Sequence, residues 1–147
     1  MMVDGRQIAE TCRDLWEATL GLNLADGAGE TDADENVLKS YVNVSGEWEG
    51  AVVVECSAAI TQHAAAMMFG TDSDDMSADD LQDALNELTR LVGKRIQSHL
   101  PSTGKLSAPK PFKGNELGEM KGMQELQLNC EGRPVKISLF QNDAIAV

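Results

Sequence analysis

The stretch DALNELTRLVGKRIQSHLP, Asp83 to Pro101, decides the fold. Leu81, Ala84, Leu85, Leu88, Leu91, Val92, Ile96 and Leu100 recur at steps of three and four, which predicts one long amphipathic helix whose apolar stripe faces a sheet. Ser77 is placed as its N-cap, Asp79 and Asp80 lie in the first turn where the helix dipole favours negative charge, and Pro101 stops it near Leu100. On the opposite side Asp83, Glu87, Arg90, Lys94 and Gln97 follow one another at four, three, four and three. They form a polar ridge about four turns long, since a turn takes about 3.6 residues. Glu87 and Arg90 can pair at i,i+3, a contact worth only about 0.2–0.5 kcal/mol on an exposed helix. Stability does not need that pair, and the residues by themselves read as a surface ion pair.

Working outward, a helix is expected over Asp4–Leu20, where Ile8, Cys12, Leu15, Trp16, Ala18 and Leu20 recur near the helical period and Gly21 supplies the stop. The acidic, glycine-rich stretch of about 22–36 predicts a solvated loop with a short turn at most. From Val37 to Cys56 the chain turns β-branched, with Ser45-Gly46 as the turn of a hairpin. A helix then runs from the N-cap Ser57 to Gly70, with Met67, Met68 and Phe69 as core packing. After the long helix come three strand candidates, KLSAPK, GMQELQLNC and PVKISLFQ, the last two joined through Glu131-Gly132-Arg133. This order predicts a single α/β (α+β) domain over 1–147 with a largely antiparallel sheet packed against helices, including the long one at about 78–100.

With 147 residues and 42% apolar content, the chain can bury one core without disulfides or metal. Cys12, Cys56 and Cys130 are widely spaced and read as small buried residues, and His63 and His99 are too far apart to suggest a histidine metal site. The N-terminus lacks the order of a signal peptide and no apolar run would span a bilayer, so a cytoplasmic protein is expected. A net charge of −12 argues against nucleic acid as partner. Leu88–Asn115 nevertheless carries six Lys or Arg and no acid, which either balances the acidic loops or offers a docking surface for an acidic partner. No glycine-rich phosphate loop, nucleophile elbow or HExxH motif is present.

GEWEGAVVVECS (46–57), AAAMMFG (64–70) and above all DALNELTRLVGKRIQSHLP (83–101) resemble the chemotaxis phosphatase CheX-like domain, in the wider CheC/CheX/FliY group. The helix fits the family's Asp-Ala-x-Gly-Glu-Leu-x-Asn-Met-x-x-Gly pattern. The resemblance implies action on a CheY-type response-regulator receiver domain, whose phosphoryl group sits on an aspartate beside Mg²⁺. The family's Glu holds a receiver lysine and its Asn, one turn later, orients the attacking water. The metal would come with the receiver, and this chain itself would bind no cofactor. Asp83, Ala84, Glu87 and Leu88 fit, whereas Arg90 occupies the asparagine position, Asn86 stands where glycine is usual, and Gly93 falls one residue before the pattern's last glycine.

Arginine is a pure hydrogen-bond donor and cannot accept a water proton as an amide carbonyl can. Asn86 does not substitute for the missing amide, because it lies about 100° round the helix from Glu87. The resemblance therefore implies a CheX-like protein that docks receivers through Asp83, Glu87, Arg90, Lys94 and Gln97, with phosphatase activity lost or weakened. The alternative is an active phosphatase of two-component signalling in which Glu87 and Arg90 are catalytic, Arg90 stabilising transition-state charge. A structural role without a receiver is the third reading. Family likeness further implies a possible homodimer through sheet edges, with the 123–140 hairpin offering one.

Overall fold

The structure, a computed structural model, describes residues 5–27, 29, 36–46, 49–70, 76–99, 104–114, 117 and 120–141. In chain order the elements are α1 (Gly5–Leu20), β1 (Leu24–Asp26), β2 (Val37–Ser45), β3 (Gly50–Ser57), α2 (Ala58–Phe69), α3 (Ala78–Gln97), β4 (Lys105–Leu106), β5 (Lys110–Pro111), β6 (Lys121–Cys130) and β7 (Arg133–Gln141). The strands form one antiparallel sheet in the order β1-β6-β7-β3-β2, with β4 and β5 both paired to the outer edge of β2.

Side-chain alternation divides the sheet. Val42 and Val44 of β2, Val52, Val54 and Cys56 of β3, Leu128 and Cys130 of β6, and Val135, Ile137 and Leu139 of β7 join Ile8, Trp16, Leu85, Leu88, Val92 and Ile96 in one core beneath the helices. The opposite face carries an ion ladder across four strands. Lys39 Nζ lies 3.3 Å from Glu55, Lys136 Nζ lies 3.5 Å from Glu55, and Lys136 Nζ lies 3.4 Å from Glu125. One face is thus apolar and covered by the helices, whereas the other sets this ladder beside Tyr41, Val53 and Ser138, which are buried as well.

The expected helices, hairpins and caps are present. Ser57 accepts from the Ile60 N–H at 3.3 Å and Gly70 closes α2 in the left-handed conformation. Glu131 and Gly132, with φ of 53° and 82°, make a two-residue turn between β6 and β7 of the kind that matches strand twist. All three cysteines are buried, and burial pushes the Cys12 thiol up to about 12.

Four expectations need correction. The acidic stretch of about 22–36 is not loop throughout. Leu24–Asp26 pairs with Leu128–Cys130, and the Asn129 side-chain amide donates to the carbonyls of Asp26 (3.2 Å) and Gly27 (3.1 Å). A strand this short has no periodicity of its own and is created by the edge it docks on. Most of the remaining acidic stretch, 28 and 30–35, lies outside the described residues. The long helix ends earlier than Leu100, at Gln97, with Ser98 as C-cap; Leu100 and Pro101 lie outside the described residues. Met67 and Phe69 are half exposed at the end of α2, and only Met68 packs against the core. Ala18 of α1 points outward, while Ala9 is buried.

Candidate functional site

α3 starts with a capping box: Ser77 Oγ accepts from the Asp80 N–H at 3.2 Å and Asp80 returns a hydrogen bond to the Ser77 N–H at 3.0 Å. The helix is seated by Leu85, Leu88, Val92 and Ile96, all fully buried. It also lies unusually close to β2. A Cβ on Gly93 would stand 2.8 Å from Val42 Cγ2 and 3.3 Å from Leu106 Cδ1, so only glycine permits this approach without displacing its neighbours. Buried Thr89 satisfies its hydroxyl on the Leu85 carbonyl at 2.8 Å.

Along the side nearest β2 the helix is tied down by amides. Ser40 Oγ donates to Asn86 Oδ1 at 2.7 Å and contacts the Lys110 carbonyl at 3.2 Å. Gln82 Nε2 donates to Asn86 Oδ1 at 3.0 Å and to the Lys39 carbonyl at 3.2 Å. Residues 104–112 run beside β2 as a strap. The Ser107 N–H donates to the Asn43 carbonyl at 2.9 Å, the Phe112 N–H donates to the Lys39 carbonyl at 3.1 Å, and the Phe112 ring meets Tyr41 edge-on at 5.9 Å. Gln97 belongs partly to this arrangement, because its amide donates to the Gly104 carbonyl.

The outward side is different. Asp83 and Lys94 are exposed, and between them Glu87 and Arg90 form a two-pronged fork. Arg90 Nε donates to Glu87 Oε2 at 3.1 Å and Arg90 Nη2 donates to Oε1. Both side chains remain over a third exposed, at 37% for Glu87 and 35% for Arg90. The hydrogen bond from Arg90 lowers the Glu87 carboxyl below its ordinary range, partial burial opposes this, and the charges of Arg90 and Lys94 add to the lowering. The Glu87 partner in turn raises Arg90.

Chemically, this ridge offers a carboxylate for a cation and a guanidinium for an anion, one turn apart. Among the described residues it offers no unengaged amide carbonyl beside Glu87 to orient a water. Asn86 Oδ1 already accepts two hydrogen bonds and Arg90 has no acceptor atom. Four of the five sequence-selected residues, Asp83, Glu87, Arg90 and Lys94, therefore share one outward surface, while Gln97 stands at its edge on the strap. Among the described residues no group of three or more His, Cys, Asp or Glu gathers as a metal site, and no helix is long and apolar enough to cross a membrane.

The basic segment 88–115 does not form one surface. Ser40, Val42 and Val44 face the helices, so Tyr41 and Ser45, with their register partners Lys110 and Lys105, face the other way. Arg90, Lys94 and Arg95 stay on the helix side. Sequence reading also missed that Gln82, Asn86 and Ser40 anchor the helix. The only signal was the i,i+4 spacing of two amides on a line between the ridge and the apolar stripe.

A family model described as chemotaxis phosphatase CheX matches residues 39–131. Among solved structures the chain is similar to the chemotaxis protein CheX from Desulfovibrio desulfuricans, with TM-score 0.69 and 13% identity, covering 93% of this chain and 97% of that one. It is similar to a CheC-like superfamily protein from Shewanella sp. PV-4, with TM-score 0.70 and 12% identity, covering 97% and 99%. It is also similar to the CheX–CheY–BeF3–Mg²⁺ complex from Borrelia burgdorferi, with TM-score 0.65 and 12% identity, covering 93% and 96%. At these identities the structural likeness is one of fold. No curated protein matches the sequence.

Proposed function

The chain belongs to the chemotaxis phosphatase CheX family, and we propose that it docks a CheY-type response-regulator receiver domain through the outward side of α3 with its phosphatase activity lost or weakened. Asp83, Glu87, Arg90 and Lys94 make the contact surface, with Gln97 at its edge. The observation that carries this reading is the fork. Arg90 stands one turn after Glu87, where the family pattern has asparagine, and both of its prongs hold the carboxylate. A receiver carries its own phosphoryl-aspartate and Mg²⁺, so what a phosphatase adds is a positioned water. Arg90 has no atom to accept a hydrogen bond from such a water and Asn86 Oδ1 already accepts two, which supports the reading. The solved complex of a CheX with CheY supports the class of partner.

The test is the decay of acetyl-phosphate-labelled receiver domains from the same organism, with and without the protein. Docking without hydrolysis predicts an unchanged decay rate and a measurable complex. Acceleration that disappears in Glu87→Ala would instead establish an active phosphatase in which Arg90 stabilises transition-state charge. A homodimer through the β6 edge belongs to the same proposal, since β1 covers β6 only over 128–130. A monomer mass in sedimentation equilibrium would remove that part.

A further inference from the structure

The Glu87–Arg90 fork is a binding site that is already filled by its own members. A partner cation that is to take the bidentate position on Glu87 must displace Arg90, because Nε and Nη2 face the two carboxylate oxygens there. A cation arriving alone would leave the Arg90 guanidinium beside it, two like charges within one helical turn. An anion arriving alone would pull Arg90 away and stand against an uncovered carboxylate. Only a surface that brings both charges avoids these repulsions.

We propose that the fork is a gate that opens by ion-pair exchange, so that α3 engages a surface presenting a lysine and a phosphoryl oxyanion together and discriminates against the same surface without the phosphoryl group. Three features support this. The two side chains are more than a third exposed, so they can be reached without unfolding anything. Their hydrogen bonds are to each other and not to β2 or the strap, so the exchange leaves the seating of α3 intact. Lys94 lies one turn beyond Arg90 and already acts on the Glu87 carboxylate, so once a partner lysine has paired with Glu87 the Arg90–Lys94 end of the ridge presents two positive charges to the anionic form of a partner.

This proposal rests on the docking reading, and one experiment separates the two. The intact protein is titrated by calorimetry with a CheY-type receiver domain of the same organism, once with Mg²⁺ alone and once with Mg²⁺ and beryllofluoride as a stable phosphoryl mimic. The wild type is expected to bind the beryllofluoride form about tenfold or more tightly over the Mg²⁺ form, and Arg90→Ala to bind the two forms within about threefold of each other. In Arg90→Ala the Mg²⁺ form should bind tighter than to the wild type, because Glu87 is uncovered. If the wild type binds both forms equally, or Arg90→Ala keeps the tenfold preference, the gate is wrong and docking stands. If Arg90→Ala weakens both forms alike, Arg90 is an ordinary contact and the gate is again wrong. If the wild type binds neither form, docking fails and the gate fails with it. Arg90→Lys, which keeps charge but loses the fork, should fall between wild type and Arg90→Ala.

Discussion

The two polar sides of α3 use similar chemistry to opposite ends. Toward β2, Asn86 takes the Ser40 hydroxyl and Gln82 reaches the Lys39 carbonyl, which tie the helix to the strand, while Gln82 also braces Asn86 within the helix and Ser40 contacts the Lys110 carbonyl of β5. Facing outward, among the described residues Glu87 and Arg90 bond only one another, within one turn of the same helix. Asn86 and Glu87 are adjacent in sequence, yet one belongs to the scaffold and the other is available to a partner. What a polar residue is tied to, more than its chemical type, separates structure from site. Polar groups whose partners lie on other elements stabilise the fold, whereas a pair closed on itself at the surface contributes little to it.

This contrast can be broken by substitutions read out as urea-unfolding midpoints. The reference for a fully seated residue is Leu88, which is completely buried under the helix; Leu88→Ala should destabilise by about 2–5 kcal/mol. Asn86→Ala, which takes a partner from both Ser40 and Gln82, should cost about 1–2 kcal/mol, part of the loss being recovered through the Lys110 carbonyl. A loss below about 0.3 kcal/mol there would erase the distinction between the two sides, being no larger than an exposed helix pair.

Arg90→Ala should change stability by about 0.5 kcal/mol or less. Its signature lies in titration instead. Glu87 has a lowered folded pKa, so its contribution is fully present above the unfolded carboxyl value, about 4.3, and is lost as pH falls through the lowered folded value. In Arg90→Ala the Glu87 carboxyl should return toward its ordinary range in a ¹³C-carboxyl NMR titration. An unmoved titration would mean that the fork does not persist in solution.

Much of this was legible in the sequence because local signals and burial agreed. The leucine and alanine steps of 81–100 marked the long helix, and Ser57, Ser77, Gly70 and Glu131-Gly132 carried their cap or turn chemistry wherever the surroundings placed them. The ridge was legible for the same reason, since i,i+3 and i,i+4 spacing fixes which side chains share a helix face. Illegible features depended on a distant partner. β1 exists because the β6 edge and the Asn129 amide receive it. Met67 and Phe69 looked like core because they are apolar, yet lie half exposed in the last turn of α2, where Met68 alone of the three packs against the core. Lys105 and Lys110 read as neighbours of the α3 cations until strand alternation turned them to the other face.

By itself, the sequence determined that a long amphipathic helix carries Glu87 and Arg90 on its outward side, with arginine where the family pattern calls for an amide. Periodicity and residue identity are properties of the chain and survive any packing. Tertiary structure alone decided that Asn86 is turned into the scaffold and that the strap takes Gln97. Each of those outcomes depends on which side-chain conformation the neighbouring elements leave available, and that is set when the helix settles on β2 at the depth that Gly93 permits.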